Sequence, residues 1–199
     1  MDKFIVNIIH RPEMVPEYSA TVTGQGKEDI FKTQQRLAHE AGLKTTIQMT
    51  YASLFNDEAV ELAKQDHEKY GDEIALSLLG LPCEEFREKY KTKDFCIWMF
   101  SMEDKKAIVN DVFEKFHERF GFYPESTGSY YMDADLTNYI KEKYPMVKCA
   151  VATCWEEGPK AYHTCNNSWY TLFDGGPWAP WIPSKQNTHA PAANKEEDS

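Results

Sequence analysis

Four stretches of this sequence put carboxylates or a histidine where a fold could use them. Ile9-His10-Arg11-Pro12-Glu13 closes an apolar run, and Tyr123-Pro124-Glu125-Ser126-Thr127-Gly128 joins an acid to turn residues. Asp133 opens a helical pattern, and Cys154-Trp155-Glu156-Glu157-Gly158 closes a second apolar run. Cleavage of a glycosidic bond needs two carboxylates about 5–10 Å apart, with aromatic faces and polar edges for the sugar ring. Glu125 with Glu156 or Glu157 could supply that pair. His10 could bind or polarise a substrate hydroxyl, or hold a metal together with a carboxylate. A fifth stretch gathers Trp169, Trp178 and Trp181 among turn residues. Such a loop either stacks on sugars or packs as a flap on the rest of the protein.

Each candidate also has a plainer reading. Carboxylates are mostly solvated, and a loop histidine is easily satisfied by a backbone carbonyl. Position decides between the two, because sites in parallel α/β sheets gather at the carboxyl ends of the strands.

Short apolar runs alternate with helical patterns, which predicts repeated strand–helix units and a largely parallel sheet. Strands are predicted at residues 4–9, 44–50, 74–79, 95–100 and 147–153, with 169–173 as a further one. Helices are predicted at 27–41, from Asn56 or Asp57 to Tyr70, at 84–90, at 103–120 and after Asp133, with Gly42, Gly71 and Gly121 as stops. In the long helix Val109, Val112, Phe113, Phe116 and Phe120 share one face, so these rings belong to the core rather than to a binding stripe. Six or seven strands in 199 residues set a barrel-like α/β fold against a doubly wound open sheet. An eight-unit barrel takes about 250 residues, so either the barrel or the chain is incomplete. Residues 1–186 are expected to form the barrel domain. Residues 187–199 hold no large apolar side chain and read as a polar tail, or as a linker to a downstream region.

Composition narrows the function. Lys and Arg number 22 against 32 Asp and Glu, a net charge of −10, and that field repels phosphate backbones and anionic lipid. Neither nucleic acid nor a membrane is expected as a partner. The longest apolar run is broken by Asn7, far short of the ~20 residues of a spanning helix. Five cysteines, an odd number with no Cys-x-x-Cys pair, argue against a disulfide framework and against a zinc site. Cys83, Cys96 and Cys149 read instead as small hydrophobes. Gly24-Gln25-Gly26 follows no strand directly and makes a poor phosphate loop. Met1 leads into a strand pattern with no signal-peptide pattern before it, which leaves a cytoplasmic protein or an exported one whose leader has been removed.

Two of the stretches carry a resemblance. Ile9-His10-Arg11-Pro12 resembles the His-x-Pro motif that ends the first strand in glycoside hydrolase family 57. Gly121-Phe122-Tyr123-Pro124-Glu125-Ser126 is similar to that family's aromatic-Pro-Glu segment, whose Glu is the catalytic nucleophile. Residues 113–151 are also similar to the polysaccharide deacetylase (NodB-like) domain. The two families share one superfamily of irregular seven-stranded (β/α) barrels, and the resemblance covers residues 4–153. The chain as a whole also resembles an uncharacterised domain of bacterial multidomain proteins.

The resemblance implies a poly- or oligosaccharide substrate, with Glu125 as nucleophile or general base and His10 as a substrate-binding residue. Read together with the strand-end positions, Glu156 or Glu157 becomes the acid partner. Arg11 and Asp133 become further substrate contacts, and Trp155, Trp169 and Trp178 sugar platforms. The sequence also departs from the pattern. NodB-like domains carry an Asp pair after strand one and a His-x-x-x-His metal motif after strand three. Here stand Ile9-His10-Arg11 and Ala75-Leu76-Ser77-Leu78-Leu79-Gly80. The usual metal motif is therefore absent and no cofactor is expected; a divalent ion would need new ligands around His10. Beside a carbohydrate-active hydrolase, two alternatives stand: a non-catalytic glycan-binding or interdomain scaffold, and a metal-dependent polysaccharide deacetylase.

Overall fold

The structure, a computed structural model, describes residues 8–12, 30–78, 81, 83–92, 97–129, 132–151 and 182–193. In chain order the elements are β1 (Ile9–His10), α1 (Ile30–Glu40), β2 (Thr46–Thr50), α2 (Asp57–Tyr70), β3 (Glu73–Ser77), α3 (Glu84–Tyr90), α4 (Met102–Phe120), β4 (Ser126–Gly128), α5 (Ala134–Lys143) and β5 (Cys149–Val151). A short antiparallel pair, β6 (Pro183–Ser184) and β7 (Asn187–Pro191), follows. Tight 3-10 turns occupy Ala52–Phe55 and Ile97–Met99.

Local chemistry sets the helix limits. Asn56 accepts the Ala59 N–H at 2.8 Å, Ser101 accepts that of Asp104 at 3.2 Å, and Asp133 accepts that of Leu136 at 2.9 Å. Each satisfies an orphan donor of a first helical turn. α2 and α4 stop at Gly71 and Gly121, whose φ values of 75° and 80° lie in the left-handed region that favours glycine.

The sheet is parallel throughout, in the order β1-β2-β3-β4-β5. Each strand pairs with the next in sequence, whereas a doubly wound sheet reverses its order at a switch point. In the described strands the order runs one way, with no such reversal. Among the described residues the sheet has five parallel strands, not the seven expected, and β1 and β5 do not pair with each other.

Three expectations are corrected. Ile97–Met99, expected within a strand, is a 3-10 turn with Ile97 buried. β4 lies in a stretch that reads as loop and becomes strand by pairing with β3 and β5 on either side. Cys149, expected to be buried, is exposed. Part of the polar stretch from residue 187 is β7, and the turn before it docks on α5 where Asn138 donates to the Lys185 carbonyl at 2.9 Å.

The core lies between the sheet and its helices. Ile47, Met49, Ile74 and Leu76 meet Ala59, Val60 and Ala63 of α2, and Ile108, Val109, Val112, Phe113 and Phe116 of α4, together with Leu136 and Ile140 of α5. Burying each of the larger side chains stabilises the fold by about 1.5–3 kcal/mol.

Candidate functional site

Successive strand residues point to opposite faces, and the register shows that the two faces differ. Ile47 pairs with Ile74 and Met49 with Leu76, forming the apolar face against the helices. On the other face Thr46 pairs with Glu73, Gln48 with Ala75, and Thr50 with Ser77, which in turn pairs with Gly128. These side chains are small or polar, yet Gln48, Thr50, Ala75 and Ser77 are all buried. His10 pairs with Ile47, so alternation turns His10 to the helix face and Arg11 to the polar face. The Pro12 carbonyl accepts the Thr50 hydroxyl at 3.4 Å, which keeps this stretch alongside β2.

At the carboxyl ends of the strands the chain turns sharply. The Thr50 N–H donates to Ser53 Oγ at 2.9 Å, and the Ser53 N–H returns to Thr50 Oγ1 at 3.1 Å. Beyond β4, Ser129 is buried and its hydroxyl has no hydrogen-bond partner. Asp133 follows at the head of α5, where it takes the Lys105 ammonium at 2.5 Å. Their side chains are only 25% and 12% exposed. Burial by itself would raise the Asp133 carboxyl, but the Lys105 hydrogen bond, the Leu136 N–H and the Lys105 charge together hold it below its ordinary value. Lys105 stands in the first turn of α4. Helices return antiparallel to the strands they connect, so this ion pair belongs to the carboxyl-end side of the sheet.

A second polar cluster lies under the helices at the amino ends of β2 and β3. Asp72 Oδ1 accepts the Thr45 N–H at 2.9 Å, and Asp72 Oδ2 is met by Thr45 Oγ1 at 2.9 Å, His39 Nε2 at 2.8 Å and Gln35 Nε2 at 3.0 Å. Gln35 also donates to Asp66 at 3.0 Å and is bonded through its carbonyl to His10 Nδ1. The His39 ring stacks on Tyr70 at 3.6 Å. The ligand atoms of His39, Asp66 and Asp72 lie within 4.8 Å of one another, and among the described residues they are the one such group. Donors from three side chains and the backbone already surround Asp72, so the cluster serves as a polar bolt joining α1, α2, β2 and β3. It lies on the opposite side from the carboxyl ends, and no metal-dependent step follows from it.

The residues singled out in the sequence are thus dispersed. Arg11 lies on the polar face and Asp133 at the carboxyl end of the sheet. His10 faces Gln35. Glu125 directly precedes β4 at the amino end, where its 64% exposed side chain takes Lys148 Nζ at 2.8 Å and its carbonyl accepts the Lys148 N–H at 2.7 Å. Glu156, Glu157, Trp155, Trp169 and Trp178 lie outside the described residues. Sequence reasoning missed Gln35, His39, Asp66, Asp72, Lys105 and Ser129. Asp66 alone had a signal, since it continues the buried stripe of Ala59 and Ala63 at helical spacing.

No family model matches this chain, and no curated protein matches it. Among solved structures, a "putative glycoside hydrolase/deacetylase" from Parabacteroides distasonis matches 95% of this chain at 16% identity, with a TM-score of 0.58. The likeness shows the fold alone, an α/β fold with a parallel sheet, and agrees at that level with the expectation drawn from the resemblance to the glycoside hydrolase/deacetylase superfamily. This chain spans 41% of the length of that neighbour.

Proposed function

We propose that the chain is the sheet-bearing part of a carbohydrate-active hydrolase whose substrate, a poly- or oligosaccharide, sits at the carboxyl ends of the parallel strands. The observation that supports this reading is the likeness of fold, over 95% of this chain, to a protein described as a "putative glycoside hydrolase/deacetylase", together with the one-way order of the described strands. In this reading the five strands belong to an irregular seven-stranded (β/α) barrel, and the small, polar face of β2, β3 and β4 is its interior.

Acid–base work then falls to carboxylates that follow strands. Asp133 follows β4; Glu156 and Glu157 follow β5 in sequence. A protonated member of such a pair gives its proton to the leaving oxygen, while the ionised one attacks the anomeric carbon or activates water. Arg11 orients substrate from the polar face, and Trp155, Trp169 and Trp178 offer ring faces for stacking. His10 would act through β1, by holding its position against α1. Glu125, paired to Lys148 at the far end of β4, is given no chemical step.

Hydrolysis of a panel of oligosaccharides by the wild type and by Glu156→Gln, Glu157→Gln, Asp133→Asn and Glu125→Gln tests this assignment. Loss of turnover by about a thousandfold or more is expected for at least one of the first three, with Glu125→Gln unchanged. Loss confined to Glu125→Gln would move the chemistry to the amino ends. Binding without turnover by any variant or by wild type would favour the scaffold reading.

A further inference from the structure

We infer that His39, Asp66 and Asp72 form a structural site for a divalent transition-metal ion of the zinc class, set under the helices at the amino ends of β2 and β3. One imidazole nitrogen and two carboxylate oxygens, all within 4.8 Å of one another, meet there from α1, α2 and the turn before β3. Ligands of one zinc ion stand about 2.0–2.2 Å from it and hence about 3–4 Å apart, so side-chain shifts of under about 1 Å would close the site. Charge favours the ion. Asp66 is 7% exposed and Asp72 0%, and among the described residues His39 is the one group in an ion pair with either carboxylate. His39 can carry one positive charge against two negative ones, and uncompensated charge is costly to bury.

The surroundings hold the ligands in place. The Thr45 N–H takes Asp72 Oδ1, and His67 Nδ1 donates to the Asp72 carbonyl at 2.6 Å, which leaves Oδ2 turned into the cluster. The His39 ring is fixed by its stack on Tyr70, with 17° between the planes. Gln35 Nε2 stands 3.0 Å from both Asp66 Oδ2 and Asp72 Oδ2, so a neutral donor occupies the point between two carboxylates that a cation would take. Turning the Gln35 amide over would offer its carbonyl oxygen as a fourth ligand. Its N–H groups would then face Thr45 Oγ1 and His10 Nδ1, the two groups that now meet that oxygen. An imidazole beside oxygen donors suits zinc and its neighbours, whereas calcium and magnesium take oxygen ligands. The ion would tie α1, α2 and β3 together on the side away from the carboxyl ends, so the inference stands apart from the proposed hydrolysis.

Zinc titration by calorimetry, with thermal unfolding in parallel, tests the site on the chelator-treated chain as wild type, Asp66→Asn and His39→Gln. Wild type is expected to take up one zinc ion per chain and to unfold at a higher temperature with zinc than without it. Each variant is expected to bind zinc about tenfold or more weakly. No uptake by wild type overturns the inference, as does undiminished affinity in either variant. Where a variant fails to fold, crystals of wild type soaked in zinc decide by anomalous scattering. A peak between His39 Nε2 and the two carboxylates supports the site, and zinc found only elsewhere overturns it.

Discussion

Asp72 holds Thr45 by two bonds of 2.9 Å, one from the Thr45 N–H to Oδ1 and one from its hydroxyl to Oδ2. With the Glu73 N–H donating to the Thr45 carbonyl at 3.0 Å, these contacts fix the register of β2 and β3 at their amino ends. A slip of one residue would turn Ile47 and Met49 onto the polar face.

Asp72→Asn is therefore expected to lower the unfolding free energy by about 2–4 kcal/mol, because an amide group brings its own donors into a place where donors already converge. Urea unfolding followed by tryptophan fluorescence measures the loss. A change below about 0.5 kcal/mol, within the range of ordinary surface substitutions, would show that the bolt is incidental.

Gly121 ends α4 with φ at 80°, and no neighbouring atom would meet a side chain there. The cost of Gly121→Ala is then conformational alone, about 1 kcal/mol, and Gly121→Asn should cost less because asparagine tolerates the left-handed region. Equal losses for the two variants in the same unfolding assay would point to a contact instead.

The Asp133 carboxyl is held below its ordinary value by Lys105 and the Leu136 N–H, against its burial. A lowered carboxylate contributes stability that is fully present above the unfolded-state value, about 3.9, and is lost as pH falls through the folded-state value. Asp133→Asn keeps the helix cap and removes the charge. It should cost about 1 kcal/mol at neutral pH, allowing for partial exposure, and the difference from wild type should close as pH drops below about 4. A difference that is constant down to pH 2 would remove the ion pair from the account.

Cys83 is half-buried, and burial in chief pushes its thiol up to about 12. Since the thiolate is the reactive form, Cys83 should resist iodoacetamide at pH 8 while the exposed Cys149 is alkylated. Peptide mass spectrometry after a short pulse reads both sites. Equal labelling would contradict the burial of Cys83.

Much of the fold is legible in the sequence because its signals are local. Asn56, Ser101 and Asp133 announce helix starts, Gly71 and Gly121 announce stops, and the spacing of Val109, Val112, Phe113 and Phe116 names the buried face of α4. Two strand assignments fail for the same reason. Ile97 lies in a short apolar run, and such a run reads alike whether it becomes strand or turn. Ser126-Thr127-Gly128 has no apolar run, yet it is strand because β3 and β5 supply its hydrogen bonds.

The site was legible only in outline. Asp133 heads α5 after β4, whereas Glu125 stands before that three-residue strand, and the sequence around Glu125 does not say on which side of a strand it falls. Only the register of β4 against β3 shows that Glu125 comes before the strand and Ser129 after it.

The sequence by itself determined the alternation of strands and helices, the helix limits and the net charge of −10, since periodicity, capping and charge act over a few residues or need no geometry. The tertiary structure decided the order of the described strands, which strand face is polar, and which of two ends Glu125 and Asp133 occupy. Those depend on hydrogen bonds between residues far apart in the chain, such as the 27 positions between Thr45 and Asp72, and no local pattern encodes them.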